Sequence, residues 1–106
     1  MAADVVFTEG KPWYTNSYSW DQITSHAMGV LSESLRNEYE YYIDVIGIDF
    51  TAMPDEKAVE VSAWLAGIIE GMLEDHEASW TGESDRRHVG DLIHRLREEA
   101  TLRETH

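Results

Sequence analysis

Hydrophobic positions recur at steps of three and four along most of the chain, and the longest such run lies between Pro54 and Trp80. Ala58, Val61, Ser62, Leu65, Ile68, Ile69, Met72 and His76 form one stripe, which is the period of a helix with one buried face. Opposite them stand Glu56, Glu60, Ala63, Gly67, Glu70, Glu74 and Glu77, a row that contains no lysine or arginine. The pattern predicts a central helix over 54–80 with an acidic outer ridge. Pro54 suits its first turn, and Asp55 and Glu56 suit its positive end.

A second helical period runs through Ile23, Ala27, Val30, Leu31, Leu35, Tyr39, Tyr42, Ile43 and Ile46. Ser19 with Gln22 three residues on reads as a capping box, and Gly47 as a C-terminal cap. The polar stretch from Ser32 to Glu40 interrupts the apolar run. The segment 19–46 is therefore one helix or a helix split around Asn37. Its far face carries Glu33, Asn37, Glu40 and Asp44, a second acidic ridge. Phe50 and Met53 in the following connection are candidate plugs for the end of the core. Val89, Leu92, Ile93, Leu96 and Ala100 predict a closing helix over 85–103, with Ser84 as its N-cap.

Residues 1–18 lack a helical period. Val5 to Thr8 and Trp13 to Thr15, separated by Glu9-Gly10, read as two short strands about a turn, while Pro12 argues against a regular central strand. A hairpin and an extended arm both stay open. The fold class expected is all-α, a small bundle of three to four helices with an N-terminal extended arm or short hairpin, in a single domain over 1–106.

Charge sharpens this picture. The chain has a formal net charge of −13, from 21 acidic and 8 Lys or Arg residues. Residues 1–84 hold 16 of the acids and only Lys11, Arg36 and Lys57 as bases, whereas residues 85–106 hold five of each. Such a body repels nucleic acid and anionic membranes and attracts basic partners. Ordinary solvated helix faces mix the two signs, so the near absence of lysine between residues 12 and 84 favours a functional acidic surface. The chain has no cysteine, which excludes disulfides and thiolate metal sites. No segment approaches the roughly 20 apolar residues of a membrane span. The N-terminus lacks the basic start and apolar run of a signal peptide. A cytoplasmic location is expected.

Candidate chemistry is sparse. Asp85, His88, Asp91 and His94 repeat at steps of three, but each step slips about 60° around a helix. At most one Asp-His pair of that run shares an ion, and no second helix repeats the motif. His76 lies on an apolar stripe and reads as a core-edge histidine. There is no nucleophile elbow and no glycine-rich phosphate loop. Gly67 and Gly71 read as points of close helix approach. Glu74-x-x-Glu77 is a lone match to a magnesium motif and lies on the outer face. No catalytic residue, metal ligand or cofactor is assigned, and an enzyme is not expected.

One family resemblance follows from these residues. Gly47-Ile48-Asp49, then Met53-Pro54-Asp55-Glu56-Lys57-Ala58-Val59 and an apolar-acidic helix, resemble the middle of the Ocr antirestriction proteins of phages. The match covers residues 20–75, with the helix around His26-Ala27 and its tyrosines similar as well. The resemblance implies an all-helical dimer that imitates bent duplex DNA and occupies the DNA site of restriction or related defence enzymes. That family is far more acidic and ends in a dense acidic tail, whereas this chain ends in an arginine-bearing segment.

The function expected is thus an acidic inhibitor that mimics DNA against a basic, nucleic-acid-binding protein. Glu33, Glu40, Asp44, Glu56, Glu60, Glu70, Glu74 and Glu77 would stand in for phosphates. A homodimer is compatible with this, and direct nucleic-acid or membrane binding is not expected. The alternatives are an immunity protein or antitoxin against a basic nuclease toxin, anchored by aromatics such as Trp13, Tyr14, Trp20 or Trp80, and a structural or assembly module.

Overall fold

A computed structural model describes residues 2–44, 46–74 and 82–105. Two compact units divide the chain, residues 1–54 and 55–106. Among the described residues the first unit holds strand β1 (Ala2–Val6), strand β2 (Trp13–Asn16), helix α1 (Ser17–Gly29), helix α2 (Glu33–Glu40) and strands β3 (Ile43–Asp44) and β4 (Gly47–Asp49). A 3₁₀ turn at Phe50–Ala52 follows them. The second unit holds helices α3 (Asp55–Glu74) and α4 (Glu83–Glu104).

The all-α expectation is corrected: this is an α+β fold, with four helices among the described residues and a four-stranded mixed sheet in the order β2-β1-β4-β3. β1 and β2 form the antiparallel hairpin that the N-terminal sequence left open, and Gly10 turns between them with φ of 82°. The missed strands are β3 and β4, in a segment expected to end a helix and begin a connection. β4 runs parallel to β1 and antiparallel to β3. Ile43, Ile46 and Ile48 are β-branched and favour this geometry. Their spacing also fits a helical stripe, which is why the period misleads there.

The sheet register builds the core of the first unit. Trp13 pairs with Val5, Val5 with Ile48, and Ile48 with Ile43. One buried row therefore crosses all four strands. Alternation along each strand sends these side chains to one face. Phe7 stacks on Phe50 with ring centroids 5.6 Å apart. Phe50 and Met53 are both buried, as the sequence predicts of plugs. Trp20 is 1% exposed and its indole N–H donates to the Asp44 backbone carbonyl at 2.8 Å, tying α1 to β3.

Gly47 is not a helix cap. It sits in β4 at φ of 132°, opposite Asp4 of β1 and Asp44 of β3. A Cβ there would overlap the Asp4 carbonyl oxygen and lie 2.7 Å from its carbonyl carbon. Only glycine lets the two backbones approach this closely.

The predicted helix over 19–46 is split, and the break falls at residues 30–32 rather than around Asn37. Local caps set the start of each helix. The N-cap of α1 is Asn16, whose side-chain oxygen accepts from the Ser19 N–H at 2.7 Å, so the helix begins before the expected Ser19. Ser32 caps α2 by accepting from the Leu35 N–H at 3.3 Å, with Glu33 in the first turn. Arg36 then donates to the Met28 carbonyl at 3.1 Å and the Leu31 carbonyl at 3.3 Å. Both carbonyls lie at or just past the C-terminal end of α1, where a cation is favoured.

In the second unit α3 and α4 pack as an antiparallel hairpin, as shown by three links along its length. Arg86, near the start of α4, donates to the Leu73 carbonyl at the end of α3 at 2.8 Å. Arg97 meets Glu70. Arg103, near the end of α4, meets Asp55 at the start of α3. On α3 Ala58, Val61, Ser62, Leu65, Ala66, Ile69 and Met72 are buried, as are Val89, Leu92 and Leu96 on α4. α4 starts at Glu83 after Gly82, and no side chain caps it, so the expected Ser84 cap is not used.

Candidate functional site

The α3 ridge faces solvent much as its period predicts. Glu56, Glu60, Ala63, Gly67 and Glu74 are exposed and Glu70 is half-buried. Its charge, however, is interrupted. Glu60 accepts from the Lys57 ammonium at 3.0 Å. Glu70 accepts from Arg97, whose Nε lies 2.8 Å from Glu70 Oε1. Glu56 and Glu74 keep no cation partner among the described residues. They lie 18 residues apart, about 27 Å along the axis. DNA carries a phosphate every ~3.4 Å per strand, so α3 alone does not reproduce one strand.

The second ridge is not a single helical line either. Glu33 and Glu40 lie on α2 and are exposed, about one helical face apart from the buried Tyr39. Asp44 lies on β3, exposed, with its backbone carbonyl engaged by Trp20. The helix expected to align all three ends at Glu40. Glu77, together with His76 and Trp80, lies outside the described residues. Of the eight carboxylates singled out from the sequence, the structure thus sets Glu56, Glu60, Glu70 and Glu74 on one helix. Glu33 and Glu40 share a second, and Asp44 stands on a strand.

The cations explain the rest of the electrostatics. Arg36 and Arg86 are drawn to the C-terminal carbonyls of α1 and α3. Lys57 and Arg97 each bind a ridge glutamate. Arg103 is 9% exposed and joins Asp55 to Glu99, whose carboxylate lies 3.2 Å from Arg103 Nη1 and is almost wholly buried. Sequence periodicity missed this group because Glu99 and Arg103 extend the apolar row Val89, Leu92 and Leu96 with charged residues. The signal available was their spacing: a Glu four residues before an Arg on a stripe otherwise apolar.

Burial divides the aromatics into core and surface groups. Trp13 and Trp20 are core residues, 3% and 1% exposed, so neither serves as a surface anchor. Tyr14, Tyr18 and Tyr41 are exposed at 58%, 67% and 84%. Gly67 and Gly71 also differ from their predicted role as close-approach points: a Cβ at either would meet nothing within 4 Å. Asp85, His88, Asp91 and His94 are all exposed on α4, and His94 lies 3.0 Å from Glu98. Among the described residues no group of three or more His, Asp or Glu side chains is placed to hold a metal ion. None of the described helices is long and apolar enough to cross a membrane. Comparison with protein-family models, with curated proteins and with solved structures finds no match to this chain.

Proposed function

We propose that the protein is an acidic inhibitor that occupies the nucleic-acid site of a basic protein, with exposed carboxylates in place of phosphates. The observation that carries this reading is the use of the cations. Lys57, Arg36, Arg86, Arg97 and Arg103 are engaged by the protein's own carboxylates and helix ends. Glu33, Glu40, Glu56 and Glu74 are exposed with no cation partner among the described residues. The net charge of −13 is therefore presented outward with little internal relief at these four positions. Such a surface raises the encounter rate with a basic partner and repels nucleic acid. The resemblance to Ocr-type proteins points to defence enzymes as the target class. Glu60 and Glu70 are weakened as direct contacts by Lys57 and Arg97.

The test is affinity capture from lysate followed by competition. A nucleic-acid-binding protein is expected on the column, released by duplex DNA and by raising salt from about 50 to 200 mM. Combined Glu33→Gln, Glu40→Gln, Glu56→Gln and Glu74→Gln should weaken capture with the fold intact. Capture that ignores both DNA and the four substitutions would overturn the reading.

The exposed tyrosines favour a second reading, an immunity protein or antitoxin. Tyr14, Tyr18 and Tyr41 are large amphipathic side chains in solvent, the type enriched at binding hot spots. Binding of that kind persists at high salt and is lost on Tyr→Ala substitution rather than on loss of charge.

A further inference from the structure

We draw no further inference here: the strongest candidate, the outward face of the sheet where Asp4 and Asp44 flank Gly47 beside the exposed Tyr14, is a cluster of acidic side chains with no second observation that points to a ligand.

Discussion

Replacing Gly47 with alanine removes no contact and adds one methyl group, so it isolates the close approach of β1 and β4. The new Cβ overlaps the Asp4 carbonyl oxygen and stands 2.7 Å and 2.9 Å from the Asp4 carbonyl carbon and nitrogen. Ordinary contacts lie at about 3.5–4.0 Å, and the overlap with the oxygen sets the largest demand, so the strands must part by roughly 2 Å. Hydrogen bonds of ordinary length do not survive that separation. At risk are the β1–β4 ladder and the Asp4 N–H bond to the Ile46 carbonyl, now 3.0 Å. Losing two or three such bonds costs about 1–4 kcal/mol. Holding alanine at φ of 132° adds about 1–3 kcal/mol. A unit of this size has about 3–8 kcal/mol in total, so Gly47→Ala should remove much or all of its stability. Trp13 and Trp20 are buried reporters in the same unit, and urea unfolding followed by their fluorescence reads the change. An unfolding midpoint within error of the parent protein would refute the close approach and, with it, the parallel pairing of β4 on β1.

Other substitutions test the remaining links. Gly67→Ala should have the opposite sign, stabilising by about 0.5–1 kcal/mol in thermal unfolding, because it sits mid-helix in open space. Arg103→Met should cost about 3–5 kcal/mol by breaking its buried ion pair with Glu99. The double variant Arg103→Met, Glu99→Leu should recover most of that loss, and its failure to do so in denaturant titration would show the pair is not the source. Trp20→Phe keeps an aromatic ring but removes the indole N–H that donates to the Asp44 carbonyl and part of a buried side chain, with an expected cost of about 1–3 kcal/mol in the same titration.

The helical hairpin was legible because its pattern had one solution. Leu65, Ile69 and Met72 on α3 and Val89, Leu92 and Leu96 on α4 have no reading other than a helix stripe, and all are buried. The sheet was harder for a physical reason. β3 and β4 have two and three residues, too short to show a period of two, and their stability comes from pairing with a strand some forty residues away. Gly47 carried both meanings, since glycine ends helices and also permits backbones to touch. The break after α1 was encoded in Ser32 with Glu33, an N-cap and an acidic first turn, but the apolar run across Val30 and Leu31 masked it. Leu35 at 40% exposure and Val30 at 58% show that this run is not a continuous buried face.

Charge shows where counting by segment misleads. The closing segment is neutral in isolation, so the whole excess falls on residues 1–84. In the fold its arginines Arg97 and Arg103 reach α3 and neutralise Glu70 and Asp55, so acid on one helix is balanced by base on the other. Regrouped by the two units, residues 1–54 hold eight acids against Lys11 and Arg36, a charge of −6, and residues 55–106 hold thirteen against six, a charge of −7. The excess is thus shared almost equally rather than concentrated on the central helix. On the proposed reading, a partner drawn by that excess is attracted by both units, by α2 as well as α3. Neutralising Glu33 and Glu40 alone should therefore weaken capture of a basic partner about as much as neutralising Glu56 and Glu74 alone. An effect confined to the α3 pair would return the site to a single helix face and leave the first unit a structural role.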